Sequence, residues 1–471
     1  MLHCFGEKMN QSVTFSIGNV ALIEKTDAQT NFFKTVFAGL SGRAKDFIPS
    51  IKLLMANKLG ESLAISRLPE FTPNEELDIL GFQRRASDRT LNRTLERLGE
   101  KSQFVIEQYQ QWVKANKLDD KTQNVDFSST YFEGNNCKIA KLGYSRDHQP
   151  GKPQITYGIS VGANKIPTAL TIQKGNVNDR KHMKKMLKLC TKILAPQSIL
   201  VFDCGGNTKQ NKKTIRKLGF HYLTLRGKKI GPYREAIAFF HKTRKTAIER
   251  NGAEVLCAKR EKNGEYQYVF YSEKLASDQL AKKGRKFNRD KKTGALLEKK
   301  VKAGKEIGRH VYEKGWIISQ GKIQQSLGKM KNPYVTGVEG FFILESSLDA
   351  EPCEVLRLYR EKDAVEKFIR DLKEGAEMRP VRHWSHNAVI GYILLVFLTN
   401  ALANLTLFLA KNPLVKNLKV LKKYLNNLTV SIIYPKNGFL LRVVSNYSAE
   451  MRVLFGCFVR KYGDFEPEIW R

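Results

Sequence analysis

An uncharged stretch of 22 residues, Val389–Ala410, constrains the fold of this chain more than any other feature. A helix of that length either crosses a bilayer or is buried on all sides in a globular core. The stretch carries polar side chains at Thr399, Asn400, Asn404 and Thr406, and the sequence has no second run of this kind. We therefore interpret it as the central core helix of a large domain, and we expect no membrane partner.

The charge balance indicates a polyanionic partner. Lys and Arg number 81 against 46 Asp and Glu, a formal net charge of +35 over 471 residues. Self-repulsion of that size disfavours a compact state unless a polyanion or counterions neutralise it. Nucleic acid is the leading partner, because each neutralised phosphate releases a condensed counterion. An anionic membrane surface is the weaker alternative.

The cysteines and the N-terminal segment bear on the compartment. The 7 cysteines are scattered and include no Cys-x-x-Cys pair, so the sequence indicates neither a zinc ribbon nor a disulfide framework. The opening MLHCFGEKMNQS lacks the apolar core of a signal peptide. We expect a cytoplasmic, prokaryotic protein that associates with the nucleoid when it binds DNA.

Residues 1–115 are predicted to form a helical, basic, DNA-binding domain. Ser87–Glu100 opens with good N-cap residues and carries leucines at helical spacing, and with Phe47–Leu68 it could form a helix-turn-helix-like reader of DNA. Three arginines repeat on a neighbouring face of this helix: Arg89, Arg93 and Arg97. They are candidate phosphate contacts, and a solvated basic face is the alternative.

From about residue 120 the pattern changes to alternating strands and helices. Asn124–Thr130 is β-prone, and Ile155–Val161 alternates apolar with small or polar residues, as a half-buried strand does. Ile166–Ile172 is its expected hairpin partner. Asn178 or Asp179 can then cap a helix with one apolar face.

The next strand ends at an acidic residue. Ser198–Phe202 is a continuous apolar run, as expected of an interior strand covered on both faces, and Asp203 follows it directly. The order is strand, hairpin, helix, strand, helix, strand. It is the order of a ribonuclease-H-like (retroviral-integrase-like) α/β domain, which we assign to residues 116–225 and 341–411.

Two further regions complete the predicted organisation. Residues 226–340 are predicted to be a β-rich basic insertion, with strands at Glu254–Ala258, Tyr266–Tyr271 and His310–Ile318. The stretch from Lys282 to Arg309 holds twelve Lys or Arg and three acids, which indicates either a solvated, mobile segment or basic loops that grip DNA. Residues 412–471 are predicted to bind DNA or to mediate dimerisation.

A long helix is predicted from Pro352 to Glu374. Its apolar side chains cluster on one side when the segment is wound at about 100° per residue. The adjoining side carries Tyr359, Lys362, Glu366 and Lys373. An acid among bases can be an ordinary ion-pair face, and such faces are common.

The spacing Tyr359-x2-Lys362-x3-Glu366-x6-Lys373 resembles the Tyr-Arg-Glu-Lys signature of bacterial insertion-sequence transposases of the DDE superfamily. Further blocks resemble the same family in the same order: VDFSSTYFEG (125–134), GYSRDHQPGKPQITYGISV (143–161), IPTALTIQKGNVNDRKHMKKML (166–187), VFDCGGNTKQN (201–211) and RPVRHW (379–384). The blocks cover about residues 85 to 400.

The resemblance implies that Asp126, Asp203 and Glu366 are the metal-binding, catalytic triad. It also implies that Tyr359, Lys362 and Lys373 contact transposon-end DNA. The chain departs from the family at three places. Lys362 replaces the usual Arg, which loses the bidentate fork but keeps the charge; Glu339-Gly340 stands for a common Asp-Gly, and Tyr392 for a frequent His.

Phosphodiester chemistry gives an independent reason for such a triad. Two Mg²⁺ ions about 3.5–4 Å apart stabilise the attacking and leaving oxygens on opposite sides of phosphorus, and hard ions need oxygen ligands. We assign Asp126 as the bridging ligand, Asp203 to one ion and Glu366 to the other. Mn²⁺ is expected to substitute for Mg²⁺.

The resulting hypothesis is a cut-and-paste DNA transposase that acts on terminal inverted repeats by hydrolysis and strand transfer. Its expected partners are double-stranded DNA, both transposon ends and target, and a second copy of the chain in a synaptic homodimer. Two alternatives stay open. One is a transposase-derived DNA-binding protein without catalysis, and the other is a purely hydrolytic ribonuclease-H-like nuclease.

Overall fold

The computed structural model describes residues 9–40, 45–250, 252–303, 318–319, 322–323, 332, 334–411, 417–435 and 440–465. They fall into two compact units, residues 1–220 with 360–471, and residues 221–359. Residues 1–115, predicted to be a domain of their own, belong to the first unit together with the C-terminal region. Most of the predicted strand His310–Ile318 lies outside the described residues.

The first unit is made of two stretches of sequence, one before and one after the second unit. Before it come β1 (Met9–Ser16), α1 (Gly18–Thr30), α2 (Phe32–Val36), α3 (Phe47–Leu59), α4 (Leu68–Phe71), α5 (Asn74–Leu80), α6 (Asp88–Glu100), α7 (Ser102–Ala115), β2 (Thr122–Tyr131), β3 (Gln154–Gly162), β4 (Pro167–Lys174), α8 (Asp179–Ile193), β5 (Ile199–Phe202) and α9 (Lys209–Lys217). The second unit contains β6 (His221–Leu225), α10 (Ile230–Lys242), β7 (Thr246–Arg250), β8 (Ala253–Lys262), β9 (Glu265–Ser272), α11 (Glu273–Lys302), β10 (Ile318–Ser319), β11 (Lys322–Ile323) and β12 (Phe341–Ser346).

Helix α12 (Pro352–Glu361) leads back to the first unit, which continues with α13 (Asp363–Arg370), a π turn (Asp371–Gly375), α14 (His386–Leu409), α15 (Leu418–Asn427), β13 (Thr429–Pro435), β14 (Leu441–Ser445), α16 (Ala449–Phe455), a 3₁₀ segment (Gly456–Tyr462) and β15 (Asp464–Phe465).

The central sheet of the first unit is mixed. Its strands run in the order β4-β3-β2-β5. The pairs β4–β3 and β3–β2 are antiparallel, and β2–β5 is parallel. Every residue of β3 is buried, because helices cover both faces of the sheet: α13 packs on β2 and β3, and α8 packs on β3 and β4. The predicted order of strand, hairpin, helix and strand is confirmed.

The uncharged stretch forms α14, the core helix of the first unit. It is long and apolar enough to cross a membrane, but 89% of its apolar window is buried within the protein. It packs against α1, α3 and α6. The crossing with α6 is close, because a Cβ added at Gly391 would overlap the carbonyl oxygen of Leu95, and one at Gly99 would overlap that of Asn387. The prediction of a buried core helix is confirmed.

A second sheet of the first unit joins early and late parts of the chain. Its order is β1-β13-β14-β15, and β1 pairs with β13 in antiparallel register from Ser16↔Thr429 onward. Ile17 N–H also donates to the carbonyl of Leu428 at 2.8 Å. The DNA-binding or dimerisation role assigned to residues 412–471 stays a prediction.

The second unit is built on an antiparallel sheet in the order β6-β12-β9-β8-β7. Helix α10 covers it with a buried cluster that includes Tyr233, Phe240 and Ile343. The predicted strands at Glu254–Ala258 and Tyr266–Tyr271 are confirmed within β8 and β9. The basic run up to Lys302, interpreted from sequence as either a solvated, mobile segment or DNA-gripping loops, is part of the 30-residue helix α11, because Lys, Arg, Ala and Leu are strong helix formers.

Candidate active site

Two acids lie side by side where β5 ends beside the middle of its parallel neighbour β2. Val125 is paired with Phe202 in parallel register. Asp126 and Asp203 each follow one of these partners by a single residue, so the ladder brings them to adjacent positions. Asp126 is the one partly exposed residue between Thr122 and Thr130. The sheet therefore joins two residues that are far apart in sequence.

The short helix α13 places Glu366 close to the other two acids. The predicted helix from Pro352 to Glu374 is present but is interrupted at one residue: α12 ends at Glu361, Lys362 is a turn residue that keeps right-handed helical dihedral angles, and α13 continues into a π turn. Glu366 lies one turn into α13, which packs on β2 and β3. Its side chain is 58% exposed. π turns are frequent at functional sites.

A single buried ammonium group joins the three acids. Lys362 Nζ lies 2.7 Å from Glu366 Oε1 and 3.2 Å from Asp203 Oδ2, and its side chain is only 3% exposed. Burial alone would lower the pKa of Lys362, but the charges of Asp126, Asp203 and Glu366 raise it above its ordinary value. The ammonium is therefore held in its charged form by the carboxylates around it.

Asp126 is the acid of this group that burial perturbs most. Burial raises its pKa to about 6, and the neighbouring charge of Asp203 acts in the same direction. The charge of Lys362 and the backbone N–H of Phe127 oppose the rise. That N–H donates to Asp126 Oδ1 at 2.9 Å and fixes the orientation of the carboxyl group.

We expect Asp126→Asn to stabilise the metal-free protein at pH 8 and to have little effect at pH 4. The pKa of Asp126 is about 6 in the folded chain against an ordinary 3.8, so folding loses stability as pH rises from the lower value to the higher. Above pH 6 the loss is complete, on the order of 2–3 kcal/mol. Thermal unfolding of both proteins in EDTA at the two pH values measures it. An equal effect at both pH values would contradict the prediction.

The donor set suits a hard divalent cation. Three carboxylates offer only oxygen ligands, the kind that Mg²⁺ and Mn²⁺ prefer, and the ammonium of Lys362 shows that they already surround a positive charge. Within the described part of the chain, no group of three His, Cys, Asp or Glu side chains forms a ready-made metal cage. A bound metal would therefore take over contacts that Lys362 now makes.

A second ion pair borders the acids. Arg146 Nη2 donates to Asp179 Oδ1 at 2.6 Å, and the carboxylate of Asp179 lies against Gly205, two residues after Asp203. Sequence alone left Asn178 and Asp179 as alternative helix caps. Asn178 is the cap, since its side chain accepts from the N–H of Lys181. Asp179 is thereby available for Arg146.

Lys373 lies in a third ion-pair group, built around an acid that the sequence analysis did not single out. Lys373 Nζ and Arg379 Nη1 each lie 2.8 Å from Oδ1 of Asp147, whose side chain is 1% exposed. Asp147 belongs to the GYSRDHQP block, but its partners are 226 and 232 residues away. The structure thus places Lys373 on a buried carboxylate, whereas the resemblance implied a DNA contact.

The three candidate arginines lie on α6. Arg89 and Arg93 are exposed, and Arg97 is half-buried with its guanidinium over the ring of Phe47, 5.6 Å from its centroid. Tyr359 lies in α12 and belongs to the second unit. Lys362, also implied to contact DNA, pairs with two of the three acids.

Comparison with known proteins gives a family and a distant structural likeness. The sequence model of the family described as "Transposase DDE domain" matches residues 125–401, which include all three acids. No curated protein matches the chain significantly. Among solved structures, a cryo-EM structure of the piggyBac transposase synaptic complex with hairpin DNA is similar at 11% identity and a TM-score of 0.40, covering 90% of this chain and 79% of that one.

Proposed function

The chain belongs to the transposase DDE domain family, and from this premise we propose that it is a DNA transposase whose catalytic residues are Asp126, Asp203 and Glu366. The observation that carries the assignment is the convergence of these carboxylates on the ammonium of Lys362. We propose a ribonuclease-H-like catalytic core and a cut-and-paste reaction at terminal inverted repeats. Cleavage frees a 3′ hydroxyl, which then attacks a phosphodiester of the target.

The three acids are proposed to have different roles because their surroundings differ. Two divalent ions, when bound, would stabilise the attacking and leaving oxygens of the phosphodiester. Asp126, fixed through Oδ1 by the Phe127 N–H, is proposed as the bridging ligand. Asp203 and Glu366 are proposed as ligands of one ion each. Both are more exposed than Asp126, with 47% and 58% of their side chains accessible, so substrate DNA can reach them.

Lys362 is proposed to change partners during the reaction cycle. In the described structure it neutralises part of the repulsion among the acids and keeps Asp203 and Glu366 together. Once metal ions neutralise the acids, a DNA phosphate is the anion left for its ammonium to pair with. A lysine suits this exchange because it is a compact charge on a flexible stem with no fixed fork geometry.

DNA is the proposed partner, with the exposed Arg89 and Arg93 and the high net positive charge favouring its binding. For Lys373 we propose a positioning role in place of direct DNA contact, because its partner Asp147 is a carboxylate only 1% exposed and is not one of the three acids that would hold metal ions. We further propose a homodimer, since two DNA ends must be cut together. The cytoplasm with the nucleoid is the proposed location.

A joining assay tests the proposal. The purified chain is incubated with Mg²⁺ or Mn²⁺, labelled duplexes made from the DNA on either side of its gene, and a supercoiled plasmid. A transposase cuts the duplexes at a repeated sequence and joins the ends to the plasmid. Release of ends without joining would indicate a hydrolytic nuclease. Binding without metal-dependent cleavage would indicate a DNA-binding derivative of a transposase.

A further inference from the structure

A basic groove of the first unit has no role in the mechanism above. A cavity of about 660 Å³ opens between α7, β4 and α8. Its wall on α8 carries five lysines: Lys181, Lys184, Lys185, Lys188 and Lys192. Its floor is partly apolar, with Ile106, Leu170 and Ile390. Among the described residues that line it, none is acidic.

Helical spacing puts these lysines in a row. Lys181, Lys185, Lys188 and Lys192 are separated by steps of four, three and four, so they follow one face of α8. Eleven residues at 1.5 Å each make the row about 16 Å long. The apolar floor lets the methylene stems pack while the ammonium groups reach solvent. The row is therefore a line of exposed positive charge over a concave surface.

Most of this charge is not neutralised by nearby acids. Lys192 pairs with Glu107 at 2.6 Å. Lys185 donates to the backbone carbonyl of Ile172 at 2.9 Å, and burial lowers its pKa. An anion bound in the groove would offset the repulsion among the lysines.

The row begins next to the candidate active site. Helix α8 starts at Asp179, which is bonded to Arg146 and lies against Gly205. Gly205 follows Asp203 by two residues, and Lys181 follows Asp179 by two. A chain of phosphates that reaches Asp203 therefore has the first lysine close by. The same chain of phosphates would then pass the other lysines of the row one after another.

We propose that Lys181, Lys184, Lys185 and Lys188, the α8 track, bind the phosphate backbone of double-stranded DNA leading into the candidate active site. The inference rests on the proposed function only in taking DNA as the substrate. Lys181 and Lys188 are seven residues apart, about 10 Å along the helix axis, and each strand carries one phosphate per about 3.4 Å of duplex axis, so the track runs past about three phosphates. An extended row of point charges suits such a backbone, because lysine contacts phosphate without reading sequence.

The test measures binding without catalysis. The full-length chain with Lys181→Gln, Lys184→Gln and Lys188→Gln together is titrated with a labelled duplex in EDTA over a range of salt concentrations. The control loses three charges from exposed helical lysines to which no role is assigned: Lys213→Gln, Lys217→Gln and Lys242→Gln. Since each lost phosphate contact lowers the slope of log K against log salt by about 0.9, the track variant should lose about 2 to 3 from the slope. The control should lose less than 1.

The DNA-binding result can be interpreted independently of the cleavage result. Equal salt slopes for the track and control variants would overturn the proposal that the α8 track binds DNA. A track variant that binds DNA normally but loses self-association or the binding of an acidic peptide would also overturn it. If the wild type cuts and joins DNA while the slopes are equal, only the track fails. If the wild type never cuts DNA but the track variant loses slope, the proposed function fails and the track stands. Melting temperatures verify that both variants fold.

Discussion

Glu366→Gln will lower the rate of metal-dependent DNA cleavage by at least about a thousandfold, equivalent to about 4 kcal/mol of transition-state stabilisation. The amide has the size of the carboxylate but no charge to neutralise a divalent cation. It also removes one of the two carboxylates that Lys362 Nζ contacts, at 2.7 Å. Single-turnover cleavage of a labelled duplex in Mg²⁺ measures the effect.

The same helix offers a matched control in Asp363→Asn. Asp363 lies in the first turn of α13, is 56% exposed, and pairs with Lys367. A surface pair of this kind contributes about 0–1 kcal/mol to stability, so Asp363→Asn should cleave within a fewfold of wild type. DNA binding in EDTA should be nearly the same for all three proteins. Cleavage by Glu366→Gln at the wild-type rate would remove Glu366 from the site.

Gly391→Val will prevent stable folding of the first unit, with a loss of at least about 3 kcal/mol. A Cβ at this position would overlap the backbone oxygen of Leu95 and approach the backbone nitrogen of Gly99. Backbone atoms cannot rotate away as side-chain atoms can, so α6 and α14 must separate. Separation would open voids among the buried leucines along α6, and a close-packed interior does not tolerate voids.

Gly284→Ala is the control for this prediction, because it also introduces a Cβ at a glycine inside a helix. A Cβ at Gly284 meets nothing within 4 Å, so the change should stabilise α11 by about 0.5–1 kcal/mol. Calorimetry and the soluble yield of both variants report the difference. A Gly391→Val protein that melts like wild type would show that the two helices do not approach so closely.

The three candidate acids could be selected from the sequence because each one is marked locally. Asp203 ends a continuous apolar strand, Asp126 interrupts a β-prone segment, and Glu366 has the spacing of a family signature. The register between β2 and β5 is enough to bring Asp126 and Asp203 to adjacent positions. Local pattern and long-range geometry agree here, and the prediction of their convergence is supported by one shared ammonium.

The partners of the basic residues could not be predicted in the same way. Lys362 and Lys373 follow the signature equally well, yet one lies among the three acids and the other on Asp147. The difference depends on a loop more than 200 residues earlier in the chain, which supplies Asp147. Helical periodicity assumes an unbroken axis, so it gave all four signature residues one common face. In the structure, Lys362 and Lys373 have different acidic partners.

The pairing of β1 with β13 has a consequence for biosynthesis. A ribosome delivers β1 and α6 hundreds of residues before β13 and α14, the segments that cover them. During that interval β1 has an open edge and the leucines of α6 have no core to enter, and exposed groups of both kinds favour aggregation. A nascent chain halted before α14 would carry Asp126 and Asp203 yet have no finished interior. Incomplete translation products should therefore be removed by proteolysis and should not persist as partial enzymes.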